Sequence, residues 1–355
     1  MADAWIRGTP SPLQDAVERA ATLLGGSRLP VIAGLGTDVA GARAAIALAE
    51  RVGGAVDHIH ADALLRQLDA MREGGMLVTT PHEVSERCDL LLLVGPGLTE
   101  AWPELPKRLF ADKKRRIVWL CPDAAPKQRR IKVIGNDPAQ LPVLLAMLRA
   151  RVSGRPVAGD ALLRSEIEPL AAALRQARFG VAVWSAATLD PFAIGMLAGL
   201  AKDLNDKTRF TSLPLAPHDD GAAVLQVSGW KTGFPVRTAF GRGFAEHDPW
   251  QFDAVRLVDS GEADCAMWIA ATSAAAPAWR RQVPLIALAA KPDDLPYSAE
   301  VAFAVGRPGI DHDGVEHSPA SGTLAPVAAK KPRKTRTVAD VVTQIAAALP
   351  EGKPC

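Results

Sequence analysis

The chain has 355 residues, roughly twice a usual single-domain length, so two domains are expected, each large enough to bury its own core. Hydrophobic residues make up 48% and charged residues 23%, and 29 Gly with 28 Pro follow no collagen period, which excludes a disordered or fibrous chain. A net charge of +2, from 41 Lys and Arg against 39 Asp and Glu, announces no polyanionic partner for the molecule as a whole.

The first residues, Met-Ala-Asp-Ala-Trp-Ile-Arg-Gly, hold no apolar run of the kind a signal peptide needs. The run Leu29 to Gly36 reads as a buried parallel strand, and Val39 to Val52 as a helix whose Ala42, Ala45, Ile46 and Ala49 recur at spacings of three and four before Gly53-Gly54 stops it. Strands follow near Ala55 to Ile59, Leu90 to Val94, Arg116 to Cys121 and Lys132 to Ile134. The polar stretch Arg151 to Asp160 breaks the pattern and reads as a linker. Beyond it come strands at Val181 to Ala186, Phe210 to Leu215, Cys265 to Ala270, Val283 to Ala289 and Val301 to Val305, with helices at Leu162 to Gln176, Pro191 to Leu204 and Gln251 to Ser260. From Asp311 both periods fade into an extended arm, closed by an amphipathic helix from Val338 to Leu349. The expected fold is therefore α/β: two doubly wound, mainly parallel-sheet domains at 1–152 and 153–310, whose segments may interleave, and an irregular arm with a terminal helix at 311–355.

The longest stretch free of Asp, Glu, Lys and Arg, Cys265 to Trp279, is 15 residues, too short to span a bilayer. Cys88, Cys121, Cys265 and Cys355 lie far apart with no CxxC, so no cysteine-based zinc or iron–sulfur signature is present. Cys88 and Cys265 each follow a charged residue and lead into an apolar run, as buried thiols of a reducing compartment do, and a cytoplasmic location is expected.

Two strand-to-helix turns invite a phosphate reading. Gly34-Leu-Gly36 lacks the third glycine of a dinucleotide fingerprint, since position 39 is Val39, and a tight turn is the favoured reading. Val94-Gly95-Pro96-Gly97 lies beyond a strand's carboxyl end, where open α/β sheets bind ligands. His58, His60 and Asp62 would share one face if the strand from Ala55 continues, so a metal at His58 and His60 is one alternative, with solvated or hydrogen-bonded histidines the other. Asp311-His312-Asp313 with Glu316 and His317 is rich in ligand-type residues but reads as a polar loop.

Charge is unevenly placed. Residues Lys107 to Lys132 hold ten basic groups (Lys107, Arg108, Lys113, Lys114, Arg115, Arg116, Lys127, Arg129, Arg130 and Lys132) against Asp112 and Asp123, a net +8. Lys330, Lys331, Arg333, Lys334 and Arg336 add five more, leaving a net −11 for the rest. Only Phe110 and Trp119 accompany the first run, too few aromatics for nucleic acid, so an interface to an acidic subunit is favoured over a solvated face or a carrier track.

Several segments together resemble the B subunit of formylmethanofuran dehydrogenase, of the molybdopterin oxidoreductase superfamily. They are Val227-Ser-Gly-Trp-Lys-Thr-Gly-Phe-Pro235, Gly241-Arg-Gly-Phe-Ala-Glu-His-Asp-Pro249, Gly261-Glu-Ala-Asp264, Gly75 to Asp89 leading into Gly95, and Pro308-Gly-Ile with Gly322-Thr323. The resemblance covers roughly residues 5 to 330 and implies domains of molybdopterin-oxidoreductase type. It also implies a relic pterin-side pocket at Gly34, Gly36, Gly95, Gly97, Trp230, Thr232 and Gly233. Metal-bearing members of that family carry a cysteine-rich cluster segment and a Cys or selenocysteine ligand in the region corresponding to Ala61 to Gln67, and this sequence has neither.

That pattern resembles the cofactor-less B subunit of the bacterial formyltransferase/hydrolase complex. The resemblance implies a non-redox scaffold with no molybdopterin, no iron–sulfur cluster, no metal and no catalytic residue of its own. Its partners would be amidohydrolase-like and formyltransferase subunits, which pass a formyl group from formyl-tetrahydromethanopterin to a methanofuran analogue and release formate. No nucleic acid or membrane partner is implied. The alternative is an independent α/β enzyme using a nucleotide at Gly34 to Gly36 or a metal at His58 and His60.

Overall fold

Continuous apolar runs become strands buried on both faces, and the helices between them cover those faces. The computed structural model describes residues 3–112, 114–157, 161–273, 275–292 and 298–350, the side chains of 161–163 excepted. Its chain divides into two units: Met1–Ala61, His218–His317 and Leu324–Cys355 form one, and Asp62–Pro217 with Ser318–Thr323 the other.

In the second unit five parallel strands lie in the order Lys132–Ile134, Arg116–Leu120, Leu90–Val94, Gly180–Ser185 and Phe210–Leu215. The period of two sorts their side chains. Leu90, Leu92 and Val94 join one apolar cluster with Val118, Leu120, Ala182 and Trp184, while Leu91 and Leu93 join another with Ile117, Trp119, Val181 and Val183.

In the first unit the strand Pro30–Gly36 pairs with Ala55–Val56 on one side and Cys265–Ala270 on the other, followed by Leu285–Ala289 and Val301–Ala304, all parallel. Short antiparallel strands close both edges: Ala4–Ile6 and Thr9–Pro10 at one, Thr238–Ala239 and Glu246–His247 at the other. The helix Val39–Val52 stops at Gly53 in the left-handed conformation, φ 66°, which glycine adopts without the steric cost a side chain brings. The terminal helix Val338–Ala348 packs against it, burying Val338, Val341, Val342 and Ile345.

Mainly parallel, doubly wound α/β sheets are therefore present in both units, but the expected division at 152/153 is not. Gly180–Ser185 hydrogen-bonds Leu90–Val94 within one sheet, which puts residues on both sides of the polar stretch from Arg151 into a single unit, and part of that stretch, 158–160, lies outside the described residues. The first unit is assembled from distant segments because Cys265–Ala270 inserts beside Pro30–Gly36. The arm from Asp311 is not wholly irregular either: Gly314–Ser318 and Thr323–Val327 form a two-stranded hairpin. Only the loops after it, up to the terminal helix, are extended.

Candidate functional site

The carboxyl end of Pro30–Gly36 in the first unit is where an open α/β sheet places ligands. Here the chain turns sharply, with Gly34 at φ 81° and Leu35 at φ 52°. Gly34 is required by close backbone approach, since a Cβ there would lie 2.6 Å from the Ile269 carbonyl oxygen, and a Cβ on Gly36 would lie 2.7 Å from the Thr272 side-chain Oγ1. The helix that follows has its N-terminus filled from within. Asp38, 6% exposed, accepts the N–H of Gly41 on Oδ1 at 3.0 Å, a side-chain cap that places negative charge where a phosphate would sit. This geometry disfavours the nucleotide alternative at Gly34 to Gly36.

The strand expected to carry His58 and His60 ends at Val56, and Asp62 lies in the first turn of the helix Ala61–Gly74, so the three do not alternate on one strand face. The two histidines meet all the same, with ring centroids 5.7 Å apart, through a turn rather than a strand. His58 is buried, its Nδ1 accepting the backbone N–H of His60 at 2.9 Å, which leaves Nε2 to donate to the Asp219 carbonyl oxygen at 3.0 Å. Burial pushes its pKa down to about 4, so the ring is neutral, and both nitrogens are taken by the chain itself. His60 Nε2 sits 3.3 Å from Asp219 Oδ2, and Thr272 Oγ1 donates to Asp219 Oδ1 at 2.8 Å. Burial by itself raises the Asp219 carboxyl, but hydrogen bonds from His60, Thr272 and Ser273 outweigh it and hold the group at about 2.

Beside this fixed carboxylate lies a frustrated one. Asp219 and Asp220 both have left-handed backbone, φ 57° and 55°, at the start of the helix Gly221–Thr232. Asp220 Oδ1 accepts the N–H of His317 at 2.7 Å, while Oδ2 is buried with no hydrogen-bond partner. Burial, with Glu316 and Asp38 nearby, pushes Asp220 up to about 7. Burial and Asp38 raise Glu316 as well, and burial lowers His317. Below this layer Asp57 accepts N–H groups from His58 and Ala254, and Arg237 bridges toward Asp57 at 3.5 Å and Asp253 at 2.5 Å. Burial nevertheless raises Asp57 to about 7.

Asp38, His58, Asp219 and Asp57 are committed to hydrogen bonds within the chain. Among the described residues no three His, Cys, Asp or Glu side chains are arranged to hold a metal ion. In the loop after Val305, Asp311 accepts the N–H of Arg307 at 2.9 Å, Asp313 accepts that of Ala329 at 2.8 Å, and His312 turns its ring nitrogens toward the carbonyls of Asp313 and Gly306.

Of the seven residues of the expected relic pocket, Gly34, Gly36, Trp230, Thr232 and Gly233 belong to the first unit and Gly95 and Gly97 to the second. Thr232 and Gly233 close a helix: Thr232 Oγ1 donates to the Ser228 carbonyl at 2.7 Å, Gly233 has φ 78°, and Trp230 is 63% exposed. Gly95 accepts the indole N–H of Trp119 at 2.8 Å, and Gly97, φ 72°, starts the short helix Leu98–Ala101. Asp219, Asp220 and Thr272 were not singled out by sequence, because they meet the histidines only through the sheet's topology.

The thiols behave as apolar side chains. Cys88, Cys121 and Cys265 are free and buried, and burial raises them to about 12, 11 and 12 respectively. Cys355 lies outside the described residues. The region Ala61 to Gln67 opens a helix whose Ala61, Ala63, Leu64 and Leu65 are buried. None of these side chains is a thiol, so the region offers no Cys ligand of the kind the resemblance implies for metal-bearing members.

No family model matches the chain. It is 36% identical over 357 residues to the B subunit of the formyltransferase/hydrolase complex Fhc of Methylorubrum extorquens, covering 96% of each chain. It is 25% identical over 288 residues, 72% of its own length and 63% of the other's, to the B subunit of the tungsten-containing formylmethanofuran dehydrogenase 2 of Methanocaldococcus jannaschii. In structure it matches a chain of the crystal structure of the formyltransferase/hydrolase complex FhcABCD from M. extorquens in complex with methylofuran, with TM-score 0.87, 35% identity and 98% of each chain covered.

Proposed function

The chain belongs to the family of the formyltransferase/hydrolase complex B subunit, and from that premise we propose that it is a non-redox, non-catalytic scaffold of such a complex. Its partners are the other subunits, of amidohydrolase-like and formyltransferase type, which carry the formyl group from formyl-tetrahydromethanopterin to a methanofuran analogue and on to formate. The scaffold itself holds no molybdopterin and no iron–sulfur cluster. One observation carries the scaffold reading: at the carboxyl end of Pro30–Gly36, Asp38, His58 and Asp219 are bound to the chain's own backbone and side chains. A catalytic site keeps such groups poised for a reacting atom. No helix among the described residues is long and apolar enough to cross a membrane, and the free thiols Cys88, Cys121 and Cys265 support a cytoplasmic location.

The test is co-expression with the three other subunits and measurement of formyl transfer by the purified assembly. The chain is expected to co-purify stoichiometrically, and Cys88→Ala, Cys121→Ala and Cys265→Ala variants that assemble are expected to turn over normally. Loss of turnover in a fully assembled Cys265→Ala complex, or about one tungsten or molybdenum per chain on elemental analysis, would overturn the reading.

A further inference from the structure

The basic run that stands out in sequence is reorganised by the second unit's topology. Not all of it is free for a partner. Arg115 is buried and donates to the carbonyls of Cys88, Leu109, Val84 and Ser85. Arg130 donates to the carbonyls of Phe110 and Asp112, and thereby fastens the loop ending at Ile131 to the loop leading into Arg116–Leu120. Arg108 pairs with Glu104 and Lys132 with Glu166, while Lys113 lies outside the described residues.

Of the exposed groups that remain, Lys114 and Arg116 lie at one end of the sheet. All five strands are parallel, so their amino ends share a rim. Arg116 begins its strand and donates its N–H to the Asp89 carbonyl, Arg178 donates its N–H to Asp89 Oδ2, and Gly180 donates to the carbonyl of Arg209. Adjacent strands are about 4.8 Å apart, so these hydrogen bonds set the three arginines in a row across the sheet. Arg116, Arg178 and Arg209 are all exposed, with Lys114 and Lys207 beside them; Arg178 Nε lies 3.8 Å from Asp89 Oδ2. Arg178 and Arg209 lie far from the basic run in sequence. The unit as a whole carries 22 Lys and Arg against 17 Asp and Glu, although the complete chain is nearly neutral.

We propose that this amino-terminal rim, centred on Arg116, Arg178 and Arg209, is the docking face for an acidic surface of another subunit of the complex. The proposal rests on the scaffold reading above. Two observations favour a protein over other polyanions. The rim is at the opposite end of the sheet from the carboxyl ends, where this class of fold binds small molecules, so it is not a ligand crevice. The neighbouring aromatics Phe110, Trp119 and Phe179 are buried, which leaves no platform on which bases could stack.

The experiment is capture of the co-expressed complex through a tag on a partner subunit, with wild-type chain and with the triple variant Arg116→Gln, Arg178→Gln, Arg209→Gln. At about 0.1 M salt the variant is expected to assemble with an apparent dissociation constant about tenfold weaker. A triple Arg→Lys variant, which keeps the charge, should recover most of the affinity. Amine labelling of the intact wild-type complex provides a readout that needs no variant: Lys114 and Lys207 should be protected relative to the urea-unfolded complex. Equal assembly of wild type and the Gln variant, or full reactivity of both lysines, overturns the rim alone. A wild-type chain that is not recovered with the other subunits overturns the scaffold reading and the rim with it. A Gln variant that assembles normally but loses retention of RNA would make the rim a nucleic-acid site, and the proposal wrong.

Discussion

The carboxylate of Asp38 accepts the backbone N–H of Gly41 at 3.0 Å, so the helix after the Pro30–Gly36 strand begins on a negative charge supplied by its own chain. Asp38→Ala should therefore lower stability by about 1 kcal/mol, with Asp38→Asn close to wild type, since an amide oxygen also caps. Urea denaturation measures both. Millimolar ATP or NADH should leave the wild-type melting temperature unchanged; a rise of several degrees would restore the nucleotide alternative.

His58 offers a second check. Its two ring nitrogens serve His60 N–H and the Asp219 carbonyl, so His58→Ala strands both buried groups and should cost about 2–4 kcal/mol. The pH dependence follows from its lowered pKa. The unfolded histidine takes up a proton below about 6.5 while the folded one resists until about 4, so this contribution to stability is complete above 6.5 and declines as pH falls between those values. Zinc should give no stabilisation; a zinc-dependent rise in melting temperature that His58→Ala abolishes would show a metal site.

Asp220 works in the opposite direction. Its folded pKa is raised to about 7, so between about 4 and 7 the folded state binds the proton more tightly and stability falls as pH rises through that window. Asp220→Asn keeps the acceptor for His317 N–H and suits the left-handed backbone, yet carries no charge. It should stabilise the chain at pH 8 by on the order of 2 kcal/mol, with the gain shrinking toward pH 4. Paired denaturation curves at the two pH values decide it. An equal effect at both would mean that charge burial is not the cause.

Much of the fold was legible because local physics dictates it. The leucine run Leu90 to Val94 can only be a strand buried on both faces, and Val39 to Val52 carries both its apolar stripe and its glycine stop. The helix Leu13–Gly26, with Ala16, Val17, Ala20, Ala21 and Leu24 on one face, carries the same local signal. The interleaving of the units was not legible, since pairing of Cys265–Ala270 with Pro30–Gly36 is a long-range choice that neither segment announces. The site shows the same limit. His58 and His60 were visible as a pair, but their roles are set by Asp219, whose carbonyl and carboxylate arrive from about 160 residues away.

Arg115 makes the sharpest demand on the fold around the proposed docking rim. It sits 4% exposed at the C-terminal end of the helix Pro81–Arg87, where Nε donates to Cys88 O at 2.7 Å and the terminal nitrogens to Val84, Ser85 and Leu109 at 2.9, 2.8 and 2.6 Å. Val84 O also accepts the Cys88 N–H, while Ser85 and Cys88 lie at the end of that helix and Leu109 ends the helix Leu105–Leu109, so the guanidinium also meets the negative ends of helix dipoles. Lysine has three donors on one atom and cannot span four carbonyls in a plane, so Arg115→Lys should cost about 1–3 kcal/mol. Arg115→Met removes every donor and should cost about 3 kcal/mol or more. Arg116, next in sequence but exposed, should tolerate Lys within about 0.5 kcal/mol. The contrast separates the two roles that adjacent arginines play in one basic run. Urea denaturation of the three variants would reveal it, and a cost below about 1 kcal/mol for Arg115→Met would mean that water replaces the guanidinium at those carbonyls.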